Sequence, residues 1–219
     1  LIQLKDFEAV IFDMDGVLID SEPLWKTAME EVFTGLGATL TKQDFEKTVG
    51  LRIDEVIHFW NKKEGWGVTD ESEVEEAIIL KMESLIASNP LALEGVIETL
   101  NYLKLQKIPV GLATSSSSRL IKVVLDCLTI RHLFTFVHSA EMEQYGKPHP
   151  AVYLTVAKKL AVLPEKCLVI EDSLVGVISA KAAKMTAVCI PEKTHAVESR
   201  LILADHQFDT MRDFLKAIQ

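Results

Sequence analysis

Four times between residues 95 and 190, a stretch with helical spacing of apolar residues gives way to a short apolar run rich in β-formers. Helix 95–106 leads to strand 109–114 ("PVGLAT"), and helix 118–128 to strand 134–139 ("FTFVHS"). Helix 149–161 leads to strand 166–172 ("KCLVIED"), and helix 173–184 to strand 186–190 ("TAVCI"). Strands joined through helices pair in parallel, and such a sheet is covered on both faces. The alternation therefore predicts an α/β fold, a parallel sheet with helices on both sides. An earlier run, "EAVIFD" at 8–13, has the same strand character and joins that sheet.

Between the first strand and the alternation the pattern is helical throughout. Asp20 or Ser21 can cap a helix, Pro23 suits its first turn, and Trp25, Met29, Val32, Phe33 and Leu36 recur at helical spacing. "RIDEVIHFW" and "DESEVEEAIILKMESLIASNP" read as further helices, the last stopped at Pro90. Charge marks the same seam. Residues 20–90 hold 15 Asp and Glu against 7 Lys and Arg, whereas the remainder holds 17 against 16. The expected organisation is a core of residues 1–19 and 91–219 with an all-helical acidic unit, 20–90, inserted after the first strand. Hinges are expected near 17–20 and 89–94, where the chain crosses between the two.

Composition narrows the function classes. With 219 residues, 48% of them hydrophobic, the chain can bury a sizeable core. It contains no apolar run of 18 residues, and "LIQLKDFEAV" lacks the basic start and cleavage site of a signal peptide. A net charge of −9 argues against nucleic acid and anionic membranes as partners. Cys127, Cys167 and Cys189 sit in apolar segments without metal-like spacing and are expected to be buried free thiols in a reducing cytoplasm. None of the six histidines, at 58, 132, 138, 149, 195 and 206, has ligand spacing.

In open α/β sheets ligands sit beyond the carboxyl ends of the strands. The first strand ends in Asp13, with Asp15 across a tight turn. The second ends in Thr114 and Ser115, and the third leads to Lys147 in "GKPHP". The fourth ends in Glu171 and Asp172. Carboxylates gathered in one cleft repel by about 4 kcal/mol per pair at 4 Å and an effective dielectric of 20, so the cluster needs a cation. Hard oxygen donors in a compact site favour Mg²⁺, which also grips phosphate. Thr114 and Ser115 precede a helix, whose hydroxyl and backbone donors suit an anion, and Lys147 adds a positive charge. Together these groups describe a phosphoryl site. Asp13 would attack phosphorus, and Asp15 would protonate the departing alkoxide and later deprotonate water.

The four segments "DMDGV", "LATSS", "GKPHP" and "VIEDS" resemble, in order and spacing, the motifs of the haloacid dehalogenase-like superfamily. The helical insertion resembles the cap of its β-phosphoglucomutase-like subgroup, and the core is then expected to be Rossmann-like. "DGVLIDSEPLW" and "VGLRID" are most similar to bacterial 2-deoxyglucose-6-phosphate or hexitol phosphatases. The resemblance implies Asp13 as nucleophile, Asp15 as general acid and base, and Thr114, Ser115 and Lys147 as phosphate ligands. It also implies Mg²⁺ on Asp13, the Asp15 main-chain carbonyl and Asp172, with Glu171 assisting. The expected reaction is hydrolysis of small sugar or sugar-alcohol phosphates through an aspartyl phosphate. The expected partner is a small phosphorylated metabolite, the expected state a cytoplasmic monomer.

Two alternatives stand beside it. A hexose phosphomutase would use the same core, but the cap His and "KGxSR"-like motif of β-phosphoglucomutases are replaced by Trp25 and "VGLRI". A phosphorylated switch also uses Asp, Mg²⁺ and Lys on a parallel sheet, but lacks a second Asp and a cap. Within the insertion, Trp25, Trp60 and Trp66 either pack a small helical core or, at Trp25, stack on a sugar face. Arg52 either reaches a polar substrate group or sits exposed at a helix start.

Overall fold

The computed structural model describes residues 2–38, 40–191 and 199–219; His195 lies outside them. Six strands form one parallel sheet: Ala9–Phe12 (β1), Val110–Thr114 (β2), Phe136–Ser139 (β3), Cys167–Glu171 (β4), Thr186–Cys189 (β5) and His206–Gln207 (β6). Their order is β3-β2-β1-β4-β5-β6. The chain therefore steps outward one way from β1 and then returns to its other side, which makes the gap between β1 and β4 the topological switch point where ligands bind.

The two-residue period of the strands divides the core. Val10, Phe12, Val110, Leu112, Leu168 and Ile170 enter one hydrophobic cluster; Ala9, Ile11, Ala113, Cys167 and Val169 enter the other. Both faces are covered, which is why these strands read as continuous apolar runs rather than as alternation.

Between β1 and β2 lie Glu22–Gly35 (α1), Lys42–Phe45 (α2), Ile53–Glu64 (α3) and Glu71–Ser88 (α4). Their buried residues, among them Phe33, Ile57, Trp60 and Ile78, join the hydrophobic cluster that covers one face of the sheet. Trp60 is fully buried on α3, and Phe33 of α1 meets Trp66 with ring centroids 4.8 Å apart. Packing therefore accounts for Trp60 and Trp66; truncating a buried Trp costs about 3–5 kcal/mol. The two crossings between the sheet and this helical unit pair with each other. Leu93 N–H donates to the Leu18 carbonyl at 2.9 Å, and Ile19 bridges Ala92 antiparallel.

After the cap come Val96–Leu105 (α5), Ser118–Cys127 (α6), Ala151–Leu160 (α7), Leu174–Ala182 (α8) and Met211–Ile218 (α9). Helices α5 and α9 pack on each other, α7 lies across β1, β2 and β3, and α8 lies against β4 and β5. The expected α/β architecture is observed, with three differences. Strand β3 starts at Phe136 because Arg131–Leu133 forms a 3₁₀ turn. Strand β6 and helix α9 extend the fold beyond residue 190. Cys127, expected to be buried, is exposed at the end of α6, while Cys167 and Cys189 are buried and burial pushes both thiols up to about 12.

Candidate active site

The turn that carries Asp13 and Asp15 grows out of β1. Asp13 N–H donates to the Ile170 carbonyl of β4 at 3.0 Å, extending the ladder one residue past the strand and fixing Asp13 at the switch point. The chain then folds back, with the Met14 carbonyl accepting from Leu18 N–H at 2.8 Å and Gly16 N–H donating to the Ile19 carbonyl at 3.0 Å. Gly16 has φ +66°, and a Cβ there would lie 2.0 Å from Asp172 Oδ2. Both the left-handed backbone and the approach of Asp172 therefore require glycine.

Around this turn the strand ends converge. Lys147, almost fully buried, places Nζ 3.0 Å from Asp13 Oδ1 and donates to Glu171 Oε1 at 2.6 Å and to the Ala113 carbonyl at 3.2 Å. Glu171 is completely buried. Its Oε1 also accepts from the Tyr153 hydroxyl at 2.5 Å, and its Oε2 from Asp172 N–H at 3.1 Å and the Ser173 hydroxyl at 3.1 Å. Space for that carboxylate exists because residue 176 is glycine: a Cβ would fall 1.8 Å from Glu171 Oε1.

The electrostatics follow from one ammonium among three carboxylates. Burial alone would raise Glu171, but the charge and hydrogen bond of Lys147, with those of Tyr153 and Ser173, hold it below its usual range. Burial would likewise lower Lys147, yet Asp13 and Glu171 keep it above the ordinary lysine value. Asp13 and Asp172 are left short of compensation. Burial, reinforced by Glu171 and Asp15 and opposed by Lys147, pushes Asp13 up to about 7. Burial and the charges of Glu171 and Asp13 drive Asp172 well above its usual value.

Ligand oxygens of Asp13, Glu171 and Asp172 all lie within 4.8 Å of one another. Asp13 Oδ1 is buried without a hydrogen-bond donor, although it is within ion-pair reach of Lys147. An oxygen-only cluster with surplus buried negative charge and an unsatisfied acceptor fits a hard divalent cation. Asp13 and Asp172 would hold it. Glu171, whose two oxygens already accept five hydrogen bonds from Lys147, Tyr153, Asp172 and Ser173, is better placed to fix Lys147.

Asp15 stands apart from this cluster. Its Oδ1 accepts from the Ser21 hydroxyl at 2.5 Å and from Trp25 Nε1 at 2.9 Å. Its Oδ2 accepts from the Ser116 hydroxyl at 2.6 Å and the Thr114 hydroxyl at 3.4 Å. Ser21, expected as a possible helix cap, makes no side-chain capping bond and serves Asp15 instead. Thr114 lies where the sequence placed it. The hydroxyl of Ser115 instead donates to the Gly50 carbonyl in the cap at 2.9 Å, and its neighbour Ser116, not singled out in the sequence, takes the inward position. The run "TSSSS" signalled hydroxyls but not which of them face the site.

Thr114, Ser115 and Ser116 line a cavity of about 80 Å³ with Asp13, Asp15 and Asp172. Its roof is Glu22, Trp25, Met29, Phe45, Leu51 and Val56 of the insertion. Trp25 lines the cavity, as one of its two expected roles requires, and its indole N–H is in addition committed to Asp15. Arg52 donates to the Ala140 and Glu143 carbonyls at 3.2 and 3.0 Å, so it joins cap to core rather than lining this cavity. The cap is closely seated: a Cβ on Gly50 would lie 2.4 Å from Val175 Cγ2. The volume lies well below the ~300–1,000 Å³ typical of ligand pockets.

Comparison with known proteins agrees with this geometry. Hexitol phosphatase B of Escherichia coli (strain K12) is 39% identical over 206 residues, 94% of this chain and 93% of that protein. A phosphorylated carbohydrates phosphatase of Thermotoga maritima is 35% identical over 80% of this chain and 81% of its own. The crystal structure of β-phosphoglucomutase from Clostridium difficile superposes with a TM-score of 0.82 at 27% identity, covering 94% of this chain and 92% of that one. The family model described as haloacid dehalogenase-like hydrolase matches residues 10–190, and the chain belongs to that family.

Proposed function

We propose that this protein is a Mg²⁺-dependent phosphatase that hydrolyses small sugar or sugar-alcohol phosphates through an aspartyl phosphate, acting as a monomer in the cytoplasm. The observation that carries the reading is the division of labour between two carboxylates one residue apart. Asp13 sits in the buried cluster with Lys147, and Asp15 is drawn out of it by Ser21, Trp25 and Ser116 toward the cap cavity.

Bound Mg²⁺ supplies positive charge to the phosphoryl oxygens and to the carboxylates of Asp13 and Asp172. Lys147 and the Thr114 hydroxyl bind the remaining phosphoryl oxygens. An Asp13 carboxylate oxygen attacks phosphorus as the bond to the sugar oxygen breaks, and Asp15 gives that oxygen its proton. The sugar leaves. Asp15, now a carboxylate, takes a proton from water as the water oxygen attacks phosphorus. The bond to Asp13 breaks, and inorganic phosphate is released.

The roof of the cavity favours hydrolysis over phosphate relocation. Among the described residues lining it there is no Lys or Arg; Ser21, Glu22 and Thr48 are its hydroxyl and carboxylate cap groups. A leaving group bearing hydroxyls finds acceptors there, whereas a second phosphate finds no cation. The relatives named for hexitols and phosphorylated carbohydrates support the same substrate class. A panel of phosphorylated sugars, polyols and nucleotides, assayed with and without Mg²⁺, tests it. Release of phosphate from hexose or hexitol phosphates only with Mg²⁺ is expected. A requirement for a sugar bisphosphate, with transfer to sugar rather than water, would replace the reading with a mutase.

A further inference from the structure

We infer that Trp25, on the first helix of the cap, is a positioning residue for the general acid. Its indole N–H orients the Asp15 carboxylate for proton delivery to the leaving oxygen. The inference rests on the phosphatase reading of this site.

The four donors to Asp15 come from two sources. Ser116 and Thr114, at the end of β2, hold Oδ2. Ser21, in the crossing, and Trp25, in the first turn of α1, hold Oδ1. One oxygen is thus tied to the sheet and the other to the insertion. The donors also differ in kind. A hydroxyl rotates and can donate or accept, so Ser21, Ser116 and Thr114 can follow Asp15 through both its charged and its neutral form. An indole N–H only donates, from a rigid ring. Trp25 therefore holds Oδ1 as an acceptor throughout and leaves Oδ2, the oxygen beside Thr114, to carry the transferable proton.

The ring has a separate packing role, since it lines the cavity and packs on the hydrophobic cluster. Two substitutions separate the roles. Trp25→Phe keeps an aromatic ring and deletes the donor. Trp25→His restores a donor at the same place, because imidazole Nε2 superposes on indole Nε1 when the five-membered rings are overlaid.

The discriminating measurement is single-turnover phosphorylation of Asp13 from two donors. The sugar oxygen of 2-deoxyglucose 6-phosphate must be protonated as it leaves, whereas the acetate of acetyl phosphate leaves without a proton. Misplacing a catalytic group by about 1 Å can cost 10²-fold. Trp25→Phe is therefore expected to slow phosphorylation by the sugar phosphate roughly 10- to 100-fold. It should leave phosphorylation by acetyl phosphate within a few-fold of wild type, and Trp25→His should recover most of the loss. Equal effects on the two donors, including loss of both through misfolding, or no effect on either, would overturn the inference while the wild-type rates uphold the phosphatase reading. If the wild-type protein takes phosphate from neither donor, the phosphatase reading falls and the inference falls with it.

Discussion

The sheet and the cap contribute to one cavity by opposite means. On the sheet side, charges are buried at fixed strand ends. Lys147, Glu171 and Asp13 are each held by backbone or side-chain partners that the parallel register brings together. On the cap side the wall is mostly apolar, and its polar contributions include hydrogen bonds across a seam: Ser21 and Trp25 to Asp15, Ser115 to the Gly50 carbonyl, and Arg52 to two carbonyls. The sheet half is thus built once, on folding. The cap half depends on contacts made between the insertion and the sheet. The comparison teaches that the two halves meet at Asp15, which takes donors from the sheet through Thr114 and Ser116 and from the insertion through Ser21 and Trp25.

The sharpest separation is expected at Asp13. Asp13→Asn removes the proposed nucleophile but not the shape, and turnover of sugar phosphates should fall by about 10⁴-fold or more with no loss of thermal stability. Stability should even rise, since a buried charge short of compensation is removed. A residual rate within tenfold of wild type would remove Asp13 from its role.

A cap-side counterpart comes next. Gly50 has φ +81°, and any Cβ there meets Val175 Cγ2 at 2.4 Å. Gly50→Ala should hold the seam open at a cost of about 1–3 kcal/mol, or roughly 5- to 150-fold in kcat/KM for sugar phosphates. Affinity for Mg²⁺ at the proposed Asp13–Asp172 site should be unchanged; calorimetric titration with Mg²⁺ checks this.

The metal and pH should act on the sheet half. Asp13 and Asp172 titrate higher in the folded metal-free protein than in the unfolded chain. The folded state therefore binds more protons between the ordinary carboxylate value and about 7, the window set by Asp13. Stability is fully present below that window and is lost as pH rises through it. In chelator, Tm should decline from pH 5 to pH 8, and the gain in Tm on adding Mg²⁺ should be larger at pH 8. Equal gains at both pH values would contradict the surplus of buried charge.

The smallest effect is expected at the cap's outer edge. Arg119 of α6 bonds Glu83 through Nε and Nη2 at 3.1 and 2.8 Å, and Glu76 through Nη1 at 2.6 Å, all on α4. These groups are largely exposed and salt screens them. Arg119→Ala should alter KM by a few-fold at most, and only at low ionic strength.

The same division explains what could be read in advance. The sheet and the site residues at its strand ends were legible because a parallel register leaves few places for "DMDG", "AT", "GK" and "IED" to go. Helix α9 was legible in principle: Thr210 accepts from Asp213 N–H as an N-cap, and Met211, Phe214, Leu215 and Ile218 share a face. Strand β6, two residues long, offers no period to detect. The roles of Ser21, Trp25, Ser116 and Arg52 were not legible, because each depends on how the insertion docks against the sheet. Nothing in the spacing along α1 distinguishes an indole that packs from one whose N–H reaches a carboxylate ten residues back.

The paired crossings have a further consequence. Because Leu18 and Leu93 are hydrogen-bonded neighbours, the insertion begins and ends at one point on the sheet. Removing the whole helical unit would leave a gap that a short turn could span, with the strand order intact. A chain wired in this way permits exchange of its insertion without rewiring the sheet, provided the replacement again supplies the two donors that Ser21 and Trp25 give to Asp15.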